Sequence, residues 1–214
     1  MKGIVLKYIN ELKNDHHRYK SWEHCFEAFE GIDKTDEKFL SLHLAFYLAS
    51  WGMYRGSSGL LQKDYLVHEP VLDVIEEYKF LRKDSITLAD VKLINKAVNN
   101  IKTAYKGINV SRTLATKILL GTLGCMPALD RYFSIGWKKC EETKDWQITT
   151  YNIVRFANNH KSDIEECRKE IESQVEYPPM KIINMYFWQI GYEEEERKKN
   201  GRRKRKGLSI RLCK

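Results

Sequence analysis

Residues 107–133, GINVSRTLATKILLGTLGCMPALDRYF, decide how the rest of the chain is read. Gly107 leads a tight turn, Ser111 stands where a helix N-cap belongs, and an apolar helix follows through Thr122. Gly121 and Gly124 then break the pattern. Pro127 suits the first turn of a second helix, which would carry Asp130 just inside its start and Tyr132 and Phe133 beyond it. With the amphipathic stretch Leu88–Tyr105 upstream, residues 88–138 read as a helix–hairpin–helix element.

Helical periodicity extends outward from this element in both directions. Ile4, Leu6, Tyr8, Ile9 and Leu12 suggest a first helix, and Trp22, Cys25, Phe26 and Phe29 repeat at helical spacing up to Gly31. Thr35 can cap a third helix, apolar nearly all round from Phe39 to Trp51, which reads as the buried centre of the fold. Pro70 suits the first turn of a helix over Val71–Arg82, and further helices are expected at Trp146–Asn159, Asp163–Val175 and Pro179–Gly191. No Val/Ile-rich alternating run competes for a strand. The expected fold is therefore all-α: a compact bundle of nine or ten helices over residues 1–196, in one unit or two lobes, followed by a disordered basic tail at 197–214.

The formal net charge of +8 belongs to that tail. The last eighteen residues hold ten of the 37 basic residues and none of the 29 acids, leaving 27 bases against 29 acids in 1–196. Arg202, Arg203, Lys204, Arg205 and Lys206 form its densest part, suited to any polyanion through counterion release. The five cysteines are scattered with no metal spacing, which points to reduced thiols and a cytoplasmic setting. His16, His17, His24 and Cys25 fit no tetrahedral ligand pattern and read as a solvated face, so no metal and no cofactor is expected. The apolar stretch Leu42–Tyr54 is too short to span a bilayer.

Two constellations could carry chemistry. In Trp51–Lys63, WGMYRGSSGLLQK, the apolar helix ends in a polar turn where Arg55, Ser57 and Ser58 could hold phosphate, although an ordinary interhelical turn has the same composition. The other is the 107–133 stretch itself. Its order of Gly-led turn, apolar helix, glycine, proline, Asp and aromatic helix resembles the helix-hairpin-helix DNA glycosylase superfamily. That resemblance implies a hydrolase that flips a modified base out of DNA, with Asp130 as the catalytic carboxylate. Gly107, Ser111, Arg112 and Lys117 would then contact nucleic acid around the hairpin. Lyase-type members of that superfamily place a lysine where this chain has Arg112, so the resemblance implies a monofunctional enzyme that forms no Schiff base. DNA is favoured over RNA as the partner. The alternatives are a non-catalytic nucleic-acid-binding module and a helical interaction protein whose tail binds polyanions. For Asp130 alone, a helix-start carboxylate favoured by the dipole is the plain structural reading.

Overall fold

Ten α-helices and no strand make up the described part of the chain: α1 Lys2–Leu12, α2 Ser21–Ala28, α3 Glu37–Ser50, α4 Glu69–Glu77, α5 Val91–Ala104, α6 Arg112–Thr122, α7 Arg131–Lys139, α8 Thr150–Asn159, α9 Lys161–Lys169 and α10 Pro179–Arg211. The computed structural model describes residues 1–13, 17–31, 36–56, 58–173 and 175–211, with side chains at all of these except 12 and 202–211. Thr35, His16 and Ser57 lie outside the described residues, as do the side chains of Arg202–Lys206 and all of 212–214. The all-α expectation holds. Among the described residues no helix is long and apolar enough to cross a membrane.

The most enclosed helix is α6, not α3. Every residue from Leu114 to Thr122 is buried, Lys117 included, whereas α3 buries Leu40, Leu44, Tyr47 and Leu48 but leaves Phe39, Leu42 and Phe46 in solvent. Around α6 a single continuous apolar cluster runs from Val5 to Trp188. Its periodic stripes are those expected of amphipathic helices, such as Ile94, Ala97, Val98 and Ile101 on α5. Asp36 caps α3 through its Oδ1, which accepts from Phe39 N at 3.0 Å.

Among the described residues five glycines have less room than a Cβ needs, Gly59, Gly121, Gly124, Gly136 and Gly191, three of them inside helices. Gly121 does not end α6; it clears space for the Tyr47 ring, whose Cε1 would lie 2.4 Å from an added Cβ. The deepest contact is between α7 and α10, the most extensive helix pair in the fold. A Cβ at Gly136 would sit 1.8 Å from Phe187 O, and one at Gly191 would sit 1.9 Å from Tyr132 O. Here backbone lies on backbone. Gly191, which reads as a terminator in the sequence, is instead a crossing residue inside α10.

One buried amine lies in the first turn of α10. Lys181 is 1% exposed, and its Nζ faces the rings of Trp22 at 4.4 Å, Trp51 at 4.7 Å, Tyr8 at 5.3 Å and Tyr177 at 5.9 Å. The aromatic faces favour a cation there. Burial works against the charge and brings the amine down to about 7, with Glu23 partly opposing.

Gly136→Ala forces backbone apart and is expected to cost about 3 kcal/mol, lowering the melting temperature by roughly 6–12 °C. Gly3→Ala, in open space on α1, serves as the control and should be neutral or stabilising. Between about pH 7 and 10 the unfolded chain keeps the Lys181 proton that the folded chain has released, so wild-type stability should gain from this group as pH rises. Urea unfolding across that window should show the gain in wild type and its loss in Lys181→Met.

Candidate functional site

The helix after the Gly107 turn starts where the sequence predicts. Ser111 is extended and its Oγ accepts from Leu114 N at 3.1 Å, opening α6. Gly107 has φ +73, a backbone that L side chains avoid, so its glycine is required by conformation rather than by space. The start of α7 differs from the expectation. Pro127 does not open a helix, and residues 127–130 run outside regular structure, so that Asp130 becomes the N-cap of a helix beginning at Arg131. Its Oδ1 accepts from Phe133 N at 3.0 Å.

Buried polar side chains fix the segment that delivers Asp130. Thr113 Oγ1 donates to Leu129 O at 2.8 Å and Thr116 Oγ1 accepts from Leu129 N at 3.0 Å, both from α6. From α10, Asn184 Oδ1 accepts from Ala128 N at 2.9 Å. These groups supply the hydrogen bonds a non-helical buried backbone needs.

Asp130 faces a cavity of about 670 Å³. Its walls come from five parts of the chain. Arg18 and Tyr19 precede α2, and Trp51, Met53, Arg55, Ser58 and Gly59 follow or end α3. The hairpin gives Ile108, Asn109, Ser111, Thr113 and Lys117; Arg131, Tyr132 and Trp188 complete the cavity. Chain reversal after α3 is a Schellman motif: Gly52 has φ +75, Met53 N donates to Leu48 O at 2.8 Å and Gly52 N donates to Ala49 O at 2.9 Å. Gly59 then packs on the hairpin, where an added Cβ would lie 2.8 Å from Ile108 Cγ2.

Of the residues expected to form a site, Arg55, Ser58, Ser111, Lys117 and Asp130 all line this one cavity. Gly107 shapes the adjoining turn without lining it. Arg112 points elsewhere, donating from Nη1 to Ile148 O at 3.0 Å. Arg18, Tyr19 and Trp188 line the cavity from parts of the chain remote from 107–133, and Asn109 and Arg131 line it from within that stretch without having been singled out as site residues. Arg18 is exposed, and neither it nor Arg55 has an acidic partner among the described residues, whereas Arg131 pairs with Glu195 at 2.7 Å.

Charge in the cavity is set by burial. Lys117 is 5% exposed and its Nζ donates to Trp51 O at 2.7 Å. Burial lowers its affinity for a proton, Asp130 raises it, and Arg55 and Arg18 lower it further. Asp130 is moved upward, first by burial, against the attraction of Lys117 and the hydrogen bonds at the start of α7. The two groups influence one another across the cavity without forming a direct ion pair. The starts of α6 and α7 both open onto the same space and add the positive ends of two helix dipoles. Trp51, Tyr19, Trp188 and Tyr132 form a continuous aromatic wall, with neighbouring centroids at 5.7, 5.4 and 5.1 Å and ring planes steeply inclined to one another. The Trp51 indole N–H is buried and has no acceptor among the described residues. Among the described residues no cluster of His, Cys, Asp and Glu could hold a metal ion.

No family model, curated protein or solved structure matches this chain. The helix-hairpin-helix resemblance therefore rests on residues 107–133 themselves.

Gly107→Val must hold a β-branched residue at positive φ and is expected to destabilise the fold by about 1–2 kcal/mol. Gly107→Asn, which tolerates that region, should recover most of the loss in chemical denaturation.

Proposed function

We propose that the chain binds a nucleotide turned out of a DNA strand and hydrolyses its N-glycosidic bond, with Asp130 as the carboxylate. The observation that carries this reading is the convergence of Asp130 and Lys117 on one aromatic-walled, cation-rimmed cavity beside a hairpin with a positive-φ glycine. An extruded base needs an aromatic face to replace stacking, which a single ring of the Trp51–Tyr19–Trp188–Tyr132 wall would offer. Its flanking phosphates need donors, which Arg18, Arg55 and the open amides at the start of α6 offer. The basic segment 197–206 would add affinity for the strand without sequence choice.

In the proposed reaction the C1′–N bond breaks with its electron pair leaving on the base nitrogen, and positive charge builds on the sugar. The Asp130 carboxylate stabilises that charge and takes a proton from the water whose oxygen bonds to C1′. The proton taken up by Asp130 passes through solvent in the open cavity to the departing nitrogen, which gives a free base and an abasic sugar and restores the carboxylate. A carboxylate raised toward neutrality is a better base than an exposed one. Lys117, held by the Trp51 carbonyl, supplies a positive charge that keeps Asp130 ionised.

Asp130→Asn retains a good N-cap, so its melting temperature should stay close to wild type. Release of modified bases from duplex DNA, read as alkali-labile abasic sites, should fall by about two orders of magnitude or more while affinity persists. The pH profile of wild type should be a bell. Its acid limb lies above the ordinary carboxylate value of 3.8, because Asp130 protonates early, and its alkaline limb lies below 10.5, because Lys117 loses its proton early. Borohydride should trap no covalent complex. A complex that forms and is lost in Lys117→Ala would shift the attacking group from water to the Lys117 amine. Wild type that binds duplexes yet releases no base from any of them would leave a binding module in place of an enzyme.

A further inference from the structure

Two of the segments that line the cavity are loops, and one side chain outside the cavity bonds to a tyrosine on or beside each of them. His68 ends a short 3₁₀ turn, Tyr65–His68, and is fully buried. Its Nε2 lies 2.8 Å from the hydroxyl of Tyr54, the residue before Arg55 on the loop after α3. Its Nδ1 lies 2.5 Å from the hydroxyl of Tyr105, which ends α5 just before the Gly107 turn. A neutral imidazole has one N–H and one lone pair, so it serves one tyrosine as donor and the other as acceptor. Gly59 against Ile108 is the second tie between the same two loops. His68 does not itself line the cavity.

We propose that His68 is a positioning residue for this cavity: its bonds to Tyr54 and Tyr105 set the spacing between the 52–59 loop and the 105–111 hairpin. The proposal rests on the cavity's geometry and uses the DNA reading only in one arm of its test. Protonation would put a buried cation between two hydroxyls. The groups that act at this point are Tyr54, Tyr105 and, through Tyr54, Asp64; among the described residues no acid pairs with the ring. Burial accordingly lowers His68 to about 4. Because the folded value lies below the ordinary 6.5, the stabilisation from neutral His68 is complete above 6.5 and is lost as pH falls toward 4.

Amide hydrogen exchange, corrected for intrinsic rates, tests this on the full chain with no ligand present. At about pH 7.5, His68→Gln should speed exchange about tenfold in peptides covering both 52–60 and 105–111, and leave α7 and α9 unchanged. Tyr54→Phe and Tyr105→Phe should each loosen both segments, and they carry the test should His68→Gln fail to fold. Acidifying wild type to about pH 5 should loosen the same two segments together, a response His68→Gln has lost. Loosening confined to the segment bearing the substitution, or spread over every helix, overturns the proposal. In the second arm, a fluorescein-labelled duplex with one tetrahydrofuran abasic analogue should bind His68→Gln about tenfold more weakly than wild type. Should wild type not distinguish this duplex from an intact one, the DNA reading fails while the exchange data still decide on His68.

Discussion

The α7–α10 crossing constrains the rest of the structure. With Phe187 O against Gly136 and Tyr132 O against Gly191, the two helices meet at their backbones and leave no room for adjustment along or around their axes. That contact fixes the relative positions of Tyr132 and Trp188, two members of the cavity's aromatic wall. It also fixes Asn184, which holds the backbone two residues before Asp130. The reach of Asp130 into the cavity is thus set from α10 below and from Thr113 and Thr116 of α6 beside it. A side chain placed by three buried hydrogen bonds and a cap has little freedom to drift.

Electrostatics in the cavity follow from where these elements end. Two helix starts and the cations of Arg18, Arg55 and Lys117 face one carboxylate. Desolvation acts against Lys117 and Asp130 alike, pulling the amine down and the acid up, and their mutual attraction offsets only part of it. Burial alone displaces an amine and an acid in these opposite directions, so what sets the pair apart is that both groups line one solvent-accessible cavity.

Much of the architecture was legible because it depends on local rules. The 3.6-residue stripes located the helices, and Ser111 marked the start of α6 to the residue. Errors arose where a residue's reason lay elsewhere in the chain. Gly121 and Gly191 look like terminators, yet each is a glycine because Tyr47 or Tyr132 presses on it. Pro127 looks like a helix opener, but Thr116 and Asn184 hold its neighbours in a non-helical course. Similarly, Asp130, Lys117, Arg55, Ser58 and Ser111 could be named from motifs, whereas Arg18, Tyr19 and Trp188 join them only through folding. Arg112 occupied the position where a lysine was sought, while the amine facing the cavity is Lys117, five residues along α6.

Trp51 has a consequence of its own. Its indole is flanked by Lys117 at 5.8 Å on the cavity side and by Lys181 at 4.7 Å on the core side, with its N–H unengaged. Excited indole is sensitive to nearby charge and to new hydrogen-bond acceptors. The chain therefore carries a native fluorophore at the boundary between its core and its cavity, and changes in emission colour and lifetime can report what enters that space without any label being attached.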